Sequence, residues 1–470
     1  MAKIFRQAEL FSQGMKTKVV LDDSHELVRL TTVIDWDDLI EKAMIIRESK
    51  IKKASGPEPH YRELLGAVTL MAVKNITYRD AEELIAHYAP ARFLCGLMDS
   101  DWRIDHITVF EFTQMLGKSG MTEINAQILG IAKDAGLIDP SRLMSDTTAQ
   151  EAKIPYPNEV GLMSRYARIV KKSAAKAGKA FSKVRAKIKE VEKKVKGLVR
   201  ASHLFAKTKE QKKKTGKKLY HVVKEIHREL KTVFGTGVLL KNKSQQELSR
   251  ITKIMETLFP QIKHFLETGF VAPKKIIHLK MSELYAIVRG KAGKSVEFGL
   301  KWGINRIGGG FVQGFLINGG KHYSDKRFCL EAIQVHKAAF GQAPKTFGFD
   351  RGGYSKKNIR LSKKMGVKNV GIAPQGKADW AVSKTMAEQI RRERAQVEGC
   401  IGSIKSPIYG FNKPNARSVR AMGTYGHRAI LGFNMRKLVR EQLLYALIGK
   451  TFVTPHINNY LLLVCLSTIY

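Results

Sequence analysis

The chain has 470 residues, 44% hydrophobic and 26% charged, enough for two or three domains with real cores. Lys and Arg number 82 against 42 Asp and Glu, a formal net charge of +40, which argues against a merely solvated surface and for a polyanionic partner, nucleic acid above all. Four scattered cysteines (Cys95, Cys329, Cys400, Cys465) with no CxxC pair argue against a zinc ribbon or a disulfide scaffold and fit a reducing cytoplasm. The first residues hold no apolar signal core, and the apolar run Tyr460 to Tyr470 is too short to cross a bilayer, so no membrane partner is expected.

Residues 1–135 read as helical. Apolar residues from Leu64 to Ala72 recur at helical spacing within Tyr61 to Lys74. Thr77 with Asp80 three residues later is a capping-box pair that opens a second helix, and Pro90 ends that stretch. A third helix is expected from about Thr108 and a fourth from Thr122, as N-cap, to Gly136. His106 follows Asp105 and could be a ligand, but reads first as a loop or capping histidine. This region suits DNA-end binding or dimerisation, or packing alone.

The run Ser141 to Thr148 reads as a short buried strand ending in Asp146, and α/β folds place site residues at the carboxyl ends of strands. Composition then changes. Residues 161–230 hold 23 Lys and Arg against five Glu and no Asp. Val184, Ile188, Val191, Val195 and Leu198 keep helical spacing, so the segment reads as helix with one apolar stripe. Its one-signed charge suits a phosphate-backbone clamp, with Lys183, Lys187, Lys193, Lys194, Lys212, Lys213, Lys214, Lys217 and Lys218 as contacts.

From Lys275 the pattern turns to strands: Ile276–Leu279, Val296–Asn305 and Gly310–Asn318. Asp325 reads as the N-cap of a helix running to about Ala339. Lys345–Asp350 is a second strand ending in an acid, followed by Gly352 and Gly353, where backbone can approach a ligand closely. A helix from Ser355 to Lys364, a strand at Val367–Ile372 and a helix from Met386 to Ile404 follow, with a last long helix from Tyr425 to Leu447. On the Met386 helix, at 100° per residue, Arg391, Arg394, Glu398 and Lys405 project within roughly 60° of each other.

Two strand-end Asp and one helical Glu can converge on a pair of divalent cations. Mg²⁺ prefers carboxylate oxygens, and two such ions ~4 Å apart serve an in-line phosphoryl transfer. On the residues alone, the chain is a metal-dependent nuclease or phosphoryl transferase acting on DNA.

The motifs Ser145-Asp146-Thr147-Thr148, Asp350-Arg351-Gly352 and Arg394-x3-Glu398-x6-Lys405 resemble those of the DDE transposases of bacterial insertion sequences. The last matches the R, E and K of their Y-R-E-K signature; Arg391 stands where the tyrosine would be. The resemblance covers most of the chain except the basic insert. It implies an RNase H-like α/β catalytic core, a mixed sheet with flanking helices, preceded by an all-α N-terminal domain and interrupted by a basic helical insertion. It implies Asp146, Asp350 and Glu398 as catalytic and metal-holding residues, two Mg²⁺ ions (or Mn²⁺), and Arg351, Arg391, Arg394 and Lys405 among the DNA contacts. The activity it implies is cleavage at transposon ends followed by attack of the 3′-hydroxyl on target DNA. Its partners would be double-stranded DNA, both terminal inverted repeats and target, and further copies of the chain in a homodimer or larger synaptic oligomer, in the bacterial cytoplasm at the nucleoid. The expected boundaries are 1–135, 136–159 for the first part of the core, 160–275 for the insertion, 276–450 for the rest of the core and 451–470 for a tail. The alternatives are a nuclease without strand transfer and a catalytically degenerate, architectural DNA-binding protein.

Overall fold

The computed structural model describes residues 2–6, 16–50, 57–235, 240–288, 296–374 and 379–447; the apolar C-terminal run and the tail expected over 451–470 lie outside them. Strands β1 (Ala2–Arg6) and β2 (Lys16–Val20) pair antiparallel, an addition to a region expected to be helical. Helices α1 (Glu26–Val33), α2 (Trp36–Glu48), α3 (Tyr61–Lys74), α4 (Tyr78–His87), α5 (Ala89–Leu94) and α6 (His106–Asp134) follow. The Thr77–Asp80 capping box is present at the start of α4. Pro90 opens a helix instead of ending one: it sits in the first turn of α5, where no intrahelical N–H is required of it.

The two helices expected near Thr108 and Thr122 are the arms of α6, which breaks at Gly117 (φ 56°). Thr122 caps nothing; its hydroxyl donates back to the Lys118 carbonyl at 3.0 Å inside the second arm. Carbonyls freed by the break are met by cations: Arg420 donates to Gln114 O at 3.2 Å, and Lys50 donates to Met115 O.

After α6 comes β3 (Asp139–Glu151), then four long helices, α7 (Glu159–Ala174), α8 (Ser182–Leu204), α9 (Lys209–Gly235) and α10 (Lys243–Thr268). They pack in the cyclic order α7, α8, α9, α10 as a four-helix bundle, the outcome expected of amphipathic helices joined by short links. Val184, Ile188, Val191 and Val195 are buried, and their stripe meets Leu219, Val223 and Ile226 of α9 and Ile251 and Met255 of α10 in one core. Ile276–Leu279, expected as a strand, is irregular chain, because His278 turns there and its Nδ1 accepts the Met281 amide at 3.1 Å.

The remaining elements are β4 (Tyr285–Val288), β5 (Val296–Gly308), β6 (Val312–Phe315), α11 (Asp325–Phe340), β7 (Thr346–Phe349), α12 (Lys356–Lys364), β8 (Asn369–Ile372), α13 (Lys384–Ile404) and α14 (Val419–Leu447). The sheet is open and mixed, in the order β4-β5-β3-β7-β8, with β6 antiparallel on β5. β3 and β7 are parallel, as are β7 and β8. The chain is therefore a mixed α/β protein with fourteen α-helices and a six-stranded sheet among its described residues.

The chain divides into two compact units, one of residues 1–150, 301–416 and 420–470, the other of residues 151–300 with 417–419. The N-terminal helices do not close a core of their own. Leu65, Val68, Phe112 and Ile128 share one with Ile307 of β5 and with Leu431, Met435 and Leu438 of α14. The helical insertion and the β4 hairpin with the start of β5 form the second unit. Among the described residues no helix is long and apolar enough to cross a membrane.

Candidate active site

Register brings the two aspartates together. In the parallel pair of β3 and β7, Arg142 lies opposite Thr346, Leu143 opposite Phe347 and Met144 opposite Gly348. Carried two residues further, the same register sets Asp146 beside Asp350. Asp350 stands just past the end of β7, as expected. Asp146 does not end its strand: β3 runs on to Glu151, and Asp146 is in its middle. The strand that ends at this level is its neighbour β7, because β3 continues in the hydrogen-bonding company of β5.

Burial pushes the Asp146 carboxyl up to about 6, and the charges of Asp350 and Asp325 add to that rise. The Thr147 amide, which donates to Asp146 Oδ1 at 2.7 Å, and the Arg394 guanidinium act in the opposite direction. Asp350 accepts the amide of Gly352 across the short turn Arg351–Gly353. Gly352 leaves room here. A Cβ on it would lie 2.9 Å from Asp350 Oδ1 and 3.0 Å from Asp325 Oδ2, filling the gap between two carboxylates.

Asp325 is a third carboxylate of this neighbourhood. It is not the N-cap of α11, a position that belongs to Ser324; it is the first helical residue. Its Oδ1 accepts from Thr147 Oγ1 at 2.8 Å and pairs with Lys301 Nζ at 2.8 Å. Lys301 is 9% exposed and comes from β5. Thr147, Lys301 and the nearness of Asp325 to Asp146 escaped the sequence reading. The available signal was a lysine inside the apolar run of a strand, since a buried ammonium demands a partner.

Helix α13 is drawn onto the sheet by two glycines. A Cβ on Gly348 would lie 2.9 Å from Ile390 Cγ2, and one on Gly371 would overlap the same side chain. Ile390 is fully buried as a result. On the same helix Glu393 is paired with Arg142 of β3. One turn beyond Ile390, Arg394 lies over β7, its Cγ 3.6 Å from where a Gly348 Cβ would be. Glu398 is a further turn along the same face and is exposed. The charges that act most on Asp146 are those of Asp350, Arg394 and Asp325. The structure thus brings Asp146, Asp350 and Arg394 together and leaves Glu398 one turn outward. Arg391 is exposed, with its guanidinium 5.1 Å from the Trp380 ring centre; Lys405 is half-buried at the C-cap of α13; Arg351 is exposed in the turn after Asp350.

All nine lysines singled out in the bundle are exposed. Three are engaged inside it: Lys187 pairs with Glu229 at 2.6 Å, Lys194 with Glu190 at 2.8 Å, and Lys213 donates to Glu267 O at 2.9 Å.

The donor chemistry suits a hard divalent ion. Asp146 and Asp350 supply oxygen ligands, and a cation there would offset the burial that chiefly raises Asp146 and the like charges that add to it. Among the described residues, one trio of acids and histidine has its ligand atoms within 4.8 Å of one another, and it lies elsewhere: Glu82, Asp105 and His106. There Asp105 N-caps α6 and His106 Nδ1 lies 2.7 Å from Glu82 Oε2. Compared with protein-family models, curated proteins and solved structures, the chain matches none.

Proposed function

We propose that this chain is a DDE transposase with an RNase H-like core, cutting DNA at the ends of its own element and joining the freed 3′-ends to target DNA. The single observation that carries the reading is the parallel β3–β7 register, which, carried two residues past its last pair, sets Asp146 beside Asp350 just after β7. The sheet order supports it, as does the position of α13 across β7 and β8, with the Arg394 charge acting on Asp146. The net charge of +40 supports a DNA substrate.

Asp146 and Asp350 would hold divalent metal, Mg²⁺ or Mn²⁺, with Glu398 as the outer acid. Bound there, the metal supplies Lewis-acid stabilisation of the oxygens attacking and leaving phosphorus. The protein's own part is positioning. The amides of Thr147 and Gly352 orient the two carboxylates. Gly352 keeps the space between Asp350 and Asp325 open. Arg394, fixed through Ile390, offers a guanidinium to a phosphate entering beside Asp146. Arg391, Lys405 and Arg351 extend that cationic surface, and the bundle lysines would contact duplex backbone. Two ends must be cut and joined together, which calls for a dimer or a larger assembly on DNA.

The test is cleavage of DNA that flanks the coding sequence. Asp146→Asn, Asp350→Asn and Glu398→Gln should each abolish Mg²⁺-dependent cutting and leave DNA binding largely intact. Full cutting by any of the three would sink that residue's assignment. Pre-cut ends separate a transposase, which yields joined product, from a plain nuclease, which does not. The outward position of Glu398 favours a second reading, a catalytically degenerate DNA-binding protein. Binding without any Mg²⁺- or Mn²⁺-dependent chemistry would establish it.

A further inference from the structure

One end of the four-helix bundle carries apolar side chains that the fold does not use. Phe205 follows α8 and is 72% exposed; Phe270 follows α10 and is 75% exposed. Leu204 and Val271 beside them are 52% and 62% exposed. The chain runs up α7, down α8, up α9 and down α10, so both rings leave the bundle at the same end, where α9 begins. Lys213 of α9 donates to Glu267 O near the end of α10 at 2.9 Å, which ties those two termini together.

Neither ring is on loose chain. Ala206 is buried, and the amides of both Phe205 and Ala206 donate to Ala201 O, which turns the Phe205 ring outward. Gly269 ends α10 in the left-handed conformation (φ 79°), and the Phe270 amide donates to Thr268 Oγ1 at 3.1 Å. The same end is strongly cationic: between 207 and 218 the sequence has seven Lys and one acid, Glu210. Exposed apolar area in a monomer marks an interaction surface, and this charge selects the partner. Flat rings set among lysines fit a strand whose bases are unpaired, with bases stacking on the rings and phosphates lying along Lys207, Lys209, Lys212 and Lys214. A duplex offers its phosphates to such a surface but not its base faces.

We propose that this end of the bundle, built on Phe205 and Phe270, binds single-stranded nucleic acid. The proposal rests on the reading of the chain as a DNA-binding protein but not on its catalytic centre.

The experiment compares a fluorescent 20-nucleotide oligo-dT with a blunt duplex of equal length, titrated with the full chain and with Phe205→Ala, Phe270→Ala and the double variant. Each ring lost should weaken oligo-dT binding about tenfold while duplex binding changes less than about threefold. Phe205→Trp and Phe270→Trp should retain the oligo-dT affinity. Lys212→Gln with Lys214→Gln should weaken both ligands and flatten the salt dependence of each. Both substituted rings are largely solvent-exposed, and circular dichroism checks that the variants fold. Oligo-dT affinity unchanged in the double alanine variant, or an equal loss on duplex, overturns the proposal. Wild-type binding to duplex but not to oligo-dT overturns it alone, whereas binding to neither overturns the DNA-binding reading as well.

Discussion

Two acidic neighbourhoods in this protein look alike on paper and differ in physics. Glu82, Asp105 and His106 bring three ligand atoms within 4.8 Å of one another. Yet each member already has a partner in the fold: Asp105 accepts the amides of Ile107 and Thr108, and His106 contacts Glu82. Asp146 and Asp350 sit in the less crowded arrangement, but their charges oppose one another in a half-buried place, and burial lifts Asp146 to about 6. Closeness of donors alone therefore discriminates poorly between two such clusters. Carboxylates gathered by burial, one on a strand and one just past its neighbour, are the better mark of a site that a cation would suit.

That contrast can be broken most sharply by substitution. Asp146→Asn and Asp350→Asn should each lower metal-dependent DNA cleavage by ~10³-fold, about 4 kcal/mol of transition-state stabilisation, while Glu82→Gln and His106→Gln leave the rate within about twofold. Steady cleavage assays on one DNA substrate read both halves of the comparison. Next in size is Gly352→Ala. Its new methyl would press on Asp350 and Asp325, so cleavage should fall at least about tenfold, and thermal unfolding should show a loss of about 1–3 kcal/mol.

The third test uses pH. The Asp146 carboxyl titrates higher in the folded chain than its ordinary value of 3.8. Its ionisation therefore costs stability; the cost is absent below about pH 3.8, grows as pH rises toward about 6 and is complete above that. Without metal, Asp146→Asn should be more stable than the parent at pH 8, by about 1–3 kcal/mol, and the advantage should vanish by pH 3.5. Denaturant unfolding at the two pH values measures it. The smallest effect belongs to the other neighbourhood: Glu82→Gln or His106→Gln should change stability by less than about 1 kcal/mol, because these partners are partly solvated.

The sequence was most legible where structure depends on local period. The Val184–Val195 stripe, the Thr77 capping box and the Ser355 cap of α12 are all where helical spacing puts them. It was less legible where a distant strand decides the outcome. Asp146 was expected to end a short strand; β5 extends β3 past it, and only β7 stops there. Asp325 was assigned to capping because helix starts favour Asp, and nothing local announces that Lys301, 24 residues earlier, reaches its carboxylate. Thr122 failed for the opposite reason: a good capping residue was overruled by Gly117, whose positive φ broke the helix five residues sooner. Pairing across sequence distance, and backbone breaks that only glycine allows, are what period and composition do not carry.

The central claim is that Asp146 and Asp350, and not the tighter trio on α4 and α6, hold the divalent metal. Direct Mn²⁺ titration of the full-length protein, followed by electron paramagnetic resonance of the free ion, measures this without reference to catalysis. The account predicts saturable Mn²⁺ binding that weakens at least about tenfold in Asp146→Asn and in Asp350→Asn and is unchanged in Glu82→Gln and His106→Gln. Binding that survives both aspartate substitutions, or disappears with Glu82 or His106, would contradict it.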